Sequence, residues 1–214
     1  MQLHPGQAPD RFRESLATTY DNHAGERDER GEADWRWSLA EAFLARLSPG
    51  DRLLEVGAGT GYTSRWFADR GLDVIATDLS PLQVEHCREK GLVAHVRDMY
   101  ELGFSARAFE AVWAMNCLLH VPNADLEQVL MGIRDVLVPG GLLQLGVWGG
   151  IDEEGVYEDD FYLPRRFFSL RTDDSLTKRV AEVFEIVSFE TLTAEDPTDD
   201  RLHLQLITAK RPRS

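Results

Sequence analysis

Cysteine is scarce in this chain: Cys87 and Cys117 are the only two among 214 residues. That is too few for a disulfide framework, and no metal site is expected from them. Basic residues are also few, with Lys+Arg 23 against Asp+Glu 37 and a net charge of -14. Each third of the chain is acidic, so neither a phosphate backbone nor an anionic membrane is an expected partner. No stretch approaches the ~18 consecutive apolar residues of a membrane span. The opening M-Q-L-H-P-G-Q-A-P-D has neither the basic nor the apolar segment of a secretory leader, so a cytoplasmic location is expected. Repeats and low-complexity segments are missing too. What remains is a globular composition, 43% hydrophobic and 28% charged, in a length suited to one domain of ~150 residues with attached segments.

Short apolar runs alternate with helical periods along this chain. Phe12, Leu16 and Tyr20 predict one short helix, and the charged stretch 21–32 reads as a loop. Trp35, Leu39, Phe43 and Leu47 place a buried helical face over 34–47, stopped by Ser48-Pro49-Gly50. Strands are predicted over 53–56, 72–76, 93–96, 108–114 and 142–147, with helices over 63–70, 81–90 and 125–137. The strands are too apolar to alternate cleanly, as expected of a parallel sheet covered by helices on both faces. Ser80-Pro81-Leu82-Gln83 offers an N-cap hydroxyl, a proline at the first helical position and a glutamine three residues on. Pro139-Gly140-Gly141 is expected to end a helix before the fifth strand. Residues 151–170 combine an acidic run, 152–160, with aromatics and no clear period. A helix over 173–181 then precedes strands 183–192 and 202–209, joined by A-E-D-P-T-D-D as an antiparallel hairpin at the sheet edge.

The most informative stretch is L-L-E-V-G-A-G-T-G, residues 53–61, where a strand hands over to a helix. Glycines at 57, 59 and 61 let the chain turn tightly and let a ligand lie against the main chain. The next strand ends in Asp78, placed to accept from both hydroxyls of a ribose. A dinucleotide fingerprint G-x-G-x-x-G needs glycine at 62, where this chain has Tyr62, which weakens a nicotinamide oxidoreductase reading. Glu55, two residues before the first glycine, suits a cationic ligand such as a sulfonium or ammonium better than a pyrophosphate.

E-V-G-A-G-T-G (55–61), T-D-L-S-P (77–81), R-D-M (97–99), F-E-A-V-W-A-M-N-C-L-L-H-V-P (109–122) and L-V-P-G-G-L-L (137–143) follow one another in order. With them the chain resembles the class I S-adenosylmethionine-dependent methyltransferases, densely over 15–150 and loosely beyond. The resemblance implies an α/β, Rossmann-like, doubly wound seven-stranded sheet of order 3-2-1-4-5-7-6 with strand seven antiparallel. It implies a methyltransferase domain over 51–214 behind an N-terminal helical cap over 1–50. S-adenosylmethionine becomes the expected cofactor and S-adenosylhomocysteine the product. Carried over by position, Gly57, Ala58, Gly59 and Gly61 pass under the cofactor, with Glu55 near its methionyl end. Asp78 holds the ribose, Leu79 flanks the adenine, Asp98 accepts from the adenine amino group and Met99 contacts the ring through its backbone. Asn116 faces the methionyl part and the methyl group, and Tyr20, in Tyr20-Asp21-Asn22-His23-Ala24, folds over the cofactor carboxylate. At 116–119 the chain has N-C-L-L, not the N-P-P-Y type of amino-methylating nucleic-acid enzymes, so a small-molecule acceptor is expected.

Methyl transfer from a sulfonium is an in-line displacement, for which alignment and exclusion of water do most of the work. His120 follows the fourth strand and is the candidate base or acceptor-orienting group, with a packing histidine as the alternative. Trp148, Tyr157, Phe161 and Tyr162 are candidates for an acceptor pocket or lid, or else a satellite core under a long loop. The acidic run 152–160 is either a solvated face or an attractor of cationic acceptors, and Arg165 and Arg166 could pair with it or hold an acceptor carboxylate. A non-catalytic S-adenosylmethionine-binding partner or regulatory protein is the competing function.

Overall fold

The computed structural model describes residues 3–4, 9–193 and 201–213. The expected linker 194–200 and the Phe12 side chain lie outside the described residues. The chain begins with strand β1 (Leu3–His4) and helices α1 (Pro9–Asn22), α2 (Ala24–Arg30) and α3 (Asp34–Leu44). Strands and helices then alternate: β2 (Arg52–Val56), α4 (Tyr62–Ala68), β3 (Asp73–Asp78), α5 (Pro81–Glu89), β4 (Val93–Val96), β5 (Phe109–Met115), a 3-10 turn (Leu118–His120), α6 (Leu126–Val136) and β6 (Leu137–Gly149). The last part holds β7 (Glu153–Tyr157), β8 (Phe167–Leu170), α7 (Asp173–Ala181), β9 (Glu185–Thr193) and β10 (His203–Lys210).

The main sheet runs β4-β3-β2-β5-β6-β10-β9. Strands β2 to β6 are parallel, and β10 is antiparallel to both of its neighbours. Numbered in chain order, those seven strands give 3-2-1-4-5-7-6, the expected topology. Successive residues of β2 point to opposite faces. Leu53 joins Ala40, Phe43, Phe67 and Trp113 under α3 and α4, while Leu54 joins Val129, Leu130, Ile133 and Leu176 under α6 and α7. Order reverses between β2 and β5, and in such sheets the crevice outside the strands' carboxyl ends at that point is where ligands sit.

Four local expectations need correction. Residues 21–32 are not a loop: α1 runs to Asn22 and α2 spans Ala24–Arg30. The charges there serve docking, since Lys90 reaches Asp28 at 2.5 Å and the Tyr62 hydroxyl donates to the Asp28 carbonyl at 2.9 Å. The helix expected over 34–47 stops at Leu44. Pro139-Gly140-Gly141 does not precede a strand but lies within β6, whose pairing to β5 shifts register between Phe109 and Ala111. Residues 151–170 hold β7 and β8, which with β1 form a second antiparallel sheet β1-β7-β8. Strands of four and five residues are too short to register a period. The Ser80 cap forms as expected, with its hydroxyl accepting from the Gln83 N–H at 3.1 Å. The reciprocal arm differs, because the Ser80 N–H donates to Asp78 at 3.0 Å and not to Gln83.

Candidate cofactor and acceptor site

The turn after β2 is shaped by where side chains cannot go. Gly57 has φ +70°, and a Cβ there would stand 2.4 Å from the Cys117 Cβ, so β2 and the segment after β5 approach as closely as backbone allows. Gly61, at φ +85°, would meet Cys87 Sγ at 2.8 Å and packs α4 against α5. Gly59 differs, since at φ +57° a Cβ there would make only ordinary contacts with side-chain ends, 3.7 Å from an Arg27 nitrogen and 3.9 Å from the Gln83 Oε1. A cleft opens above this turn, lined by Gly57, Ala58 and Gly59 on one side and by Tyr20, Asn116 and His120 on the other.

Asp78 lines the cleft at the end of β3. Its two oxygens accept from the Gly59 N–H at 2.9 Å and the Ser80 N–H at 3.0 Å. A carboxylate has about four lone-pair positions, so acceptor capacity remains for a ligand's hydroxyls. Burial raises its pKa, and those backbone hydrogen bonds oppose the rise. Leu79 and Met99 also line the cleft. Asn116 follows β5 in the left-handed conformation, φ +56°, anchored by its N–H to the Gly146 carbonyl at 2.7 Å. The Asn116 Oδ1 is buried without a hydrogen-bond partner, an orphaned acceptor aimed where a ligand's N–H or O–H is needed. Glycine-lined floor, strand-end carboxylate and orphaned amide together fit an adenosyl amino acid.

Three expected cofactor contacts lie outside this cleft. Gly61 belongs to the packing beneath it. Glu55 stands behind its wall, accepting from the Ser64 hydroxyl at 2.5 Å, and burial pushes its carboxyl up to about 8. Asp98 accepts from Arg13 at 3.1 Å and from the Tyr100 N–H at 3.0 Å, and it borders a neighbouring shallow depression with Leu79.

Tyr20 and His120 meet at the far wall. The His120 Nδ1 lies 2.7 Å from the Phe167 carbonyl, which can only accept, so the proton sits on Nδ1. The Nε2 therefore accepts, and the Tyr20 hydroxyl donates to it at 2.8 Å. Burial, and secondarily the Arg166 guanidinium, pushes the imidazole down to about 3. Arg166 is bound to Asp160 through Nε at 2.8 Å and Nη2 at 2.7 Å, leaving Nη1 within 3.5 Å of the Tyr20 oxygen.

Beyond this wall lies a second, larger chamber that is open to solvent. The two cavities share Tyr20, Arg27, Glu32, Arg36, Asn116 and His120. Of the four aromatics expected to line an acceptor pocket, Trp148 does so. Tyr162 is buried and stacks on His23 at 4.1 Å, Tyr157 packs edge-on to Phe168, and Phe161 is exposed. Sequence reasoning missed Arg27, Glu32, Arg36 and Phe168. Arg27 and Glu32 lay in a charged stretch, Arg36 in the helix predicted over 34–47 and Phe168 among the aromatics of 151–170, and none of these patterns says which way such a side chain points.

Residues 53–141 match the family model described as a methyltransferase domain. Over 183 residues the chain is 30% identical to sterol 24-C-methyltransferase ERG6B of Gibberella zeae, covering 75% of this chain and 46% of that protein. Over 125 residues it is 34% identical to the 27-O-demethylrifamycin SV methyltransferase of Amycolatopsis mediterranei, covering 54% of this chain and 45% of that one. The chain thus spans about half the length of these curated relatives. Its fold matches 1,6-didemethyltoxoflavin-N1-methyltransferase of Burkholderia thailandensis, solved with S-adenosylhomocysteine, at TM-score 0.75 and 24% identity over 98% of this chain and 92% of that one. Residues 53–141 thus carry a methyltransferase domain, on a fold shared with solved S-adenosylmethionine-dependent methyltransferases. Among the described residues no helix is long and apolar enough to cross a membrane.

Proposed function

We propose that the protein transfers a methyl group from S-adenosylmethionine to a small-molecule acceptor, releasing S-adenosylhomocysteine. The observation that carries this reading is the pair of connected cavities, one floored by the glycine turn and the other open to solvent, meeting at Tyr20, Asn116 and His120. Gly57, Ala58 and Gly59 run under the cofactor, Asp78 takes the ribose hydroxyls, and Leu79 and Met99 flank the adenine. Asp98 reaches the adenine amino group once Arg13 yields it. Glu55 supports the methionyl end from behind the wall, and Asn116 accepts from the methionyl ammonium. Residues 1–50 act as a cap over this site, with α3 as its anchor on the core. Nucleic acid, membrane and metal have no part in the reading, and the location is cytoplasmic, in keeping with the charge of -14 and two unpaired, buried cysteines.

The bound cofactor supplies an electrophilic methyl on a sulfonium, and the chain's residues orient the acceptor and exclude water. An imidazole with a pKa of about 3 is a poor proton sink, so His120 serves as the orienting group rather than as the base. By accepting from Tyr20, it turns a lone pair of that hydroxyl toward the junction, where an acceptor's O–H or N–H can donate. The names of the relatives specify carbon, oxygen and nitrogen targets, which favours an alignment device over machinery for one atom type.

Calorimetric titration with S-adenosylmethionine, S-adenosylhomocysteine and NAD tests the cofactor, with micromolar binding of the first two and none of NAD as the expected result. Methyl incorporation across an acceptor panel tests the transfer. Tyr20→Phe should lower kcat by roughly 10- to 100-fold with cofactor affinity retained. An unchanged kcat removes Tyr20 and His120 from the mechanism. Cofactor binding with no transfer to any acceptor points to the non-catalytic alternative.

A further inference from the structure

The outer chamber has a chemistry that the methyltransferase reading leaves unused. Among the described residues it presents four guanidinium groups, Arg27, Arg30, Arg36 and Arg166, against one carboxylate, Glu32, inside a protein whose net charge is -14. Glu32 is taken by the Arg36 Nε at 2.8 Å. The acidic run 152–160 faces elsewhere. Asp160 is bound to Arg166 from behind, and Glu154 accepts from the Asn123 N–H and the Ser169 hydroxyl. None of its carboxylates borders the chamber. Each guanidinium has five N–H donors, so the ion pairs to Glu32 and Asp160 leave both arginines with donors to spare. Trp35, Trp148 and Phe168 supply the apolar wall, with the Arg166 guanidinium 5.1 Å from the Phe168 ring.

We propose that this chamber takes an aromatic acceptor bearing an anionic group, a carboxylate or phenolate, and discriminates against amines. The inference rests on reading the chamber as the acceptor side of the methyltransferase. A partly desolvated anion gains charge-assisted hydrogen bonds from the arginines, whereas an ammonium would meet like charges and a single carboxylate already paired. Ring walls favour an aromatic body over an aliphatic one of similar size.

The test is calorimetric titration of the full chain with 2-naphthoate, its cationic counterpart 2-naphthylmethylammonium, neutral 2-naphthamide and aliphatic cyclohexanecarboxylate, each with and without saturating S-adenosylhomocysteine. Naphthoate should bind at least about tenfold more tightly than the ammonium and than cyclohexanecarboxylate. Trp148→Leu should weaken naphthoate several-fold. If that variant misfolds, exposed Arg30→Glu at the rim should weaken naphthoate while leaving naphthamide unchanged. Absence of naphthoate binding, an ammonium bound as tightly, or cyclohexanecarboxylate matching naphthoate overturns the proposal. Failure of S-adenosylhomocysteine to bind breaks the methyltransferase reading instead, and the titrations without it still rank the four probes.

Discussion

The sheet with its covering helices and the layer over its carboxyl ends are held by different forces. In the sheet, apolar burial dominates: Leu54, Val112, Leu130, Ile133, Leu143 and Ile207 have no exposed surface. The outer layer, α1, α2 and the loop before β8, is tied down mainly by polar contacts to individual groups. Asp21 accepts from the Ser80 hydroxyl and from the Leu82 N–H at 3.0 Å, Arg13 pairs with Asp98 at 3.1 Å, and Asn22 donates to the Leu163 carbonyl at 3.1 Å. Non-directional burial tolerates no loss of volume but specifies little chemistry. Directional contacts are individually weak and can open, which suits a layer that must admit a cofactor to the cleft beneath it.

That contrast can be broken most forcefully from the core side. Ile133→Ala should cost about 2–5 kcal/mol, read as a lowered denaturant midpoint, because it leaves a cavity in packed surroundings. A loss below about 1 kcal/mol would mean that the core is looser than its burial indicates.

His120, where the two regions meet, should show itself in acid. Its folded pKa, about 3, lies below the 6.5 of a free imidazole. The unfolded chain therefore takes up a proton as pH falls through 6.5 while the folded chain does not. Stability is untouched above that range and declines below it, by about 2 kcal/mol at pH 5. His120→Gln should flatten this acid decline by that amount in chemical denaturation at several pH values. Glu55 has the opposite sign, since its folded pKa of about 8 exceeds the 4.5 of a free glutamate. Its contribution is present below pH 4.5 and is lost as pH rises toward 8, so Glu55→Gln should flatten the alkaline side.

Smaller effects belong to the outer layer. Asp21→Ala removes the acceptor at the α5 N-terminus and should cost about 1 kcal/mol. It should also speed amide exchange in α1 more than in β5. Asp28→Asn weakens the pairing with Lys90, a partly exposed contact of about 0.2–1 kcal/mol, and should leave the denaturant midpoint nearly unmoved while raising exchange in α2. Equal exchange changes in the outer layer and the sheet would show that the two regions open together.

Legibility followed the same division. The alternation of apolar runs and helical periods, the glycine turn and Asp78 at the end of a strand are local patterns, Asn116 is named by the family resemblance, and the structure brings Gly57, Gly59, Asp78 and Asn116 to one cleft. Short-range spacing sufficed because backbone geometry between adjacent elements leaves few alternatives. The stretch 21–32 was misread as a loop because its helix owes its stability to docking by Asp28 and Tyr62, not to its own apolar period. Phe161 and Tyr157 looked like pocket aromatics because composition carries no direction.

The alternation of strands and helices, the glycine turn and its strand-end acid were thus legible in local sequence, whereas the strand order came from the family resemblance and is what the structure has. Tertiary structure alone decided that Arg27, Glu32, Arg36 and Arg166 share one chamber and that Tyr20 meets His120 across a hundred residues. Charged and aromatic side chains carry no periodic mark of the surface they will face. Their partners are set by long-range docking, which becomes defined once the core beneath them has formed.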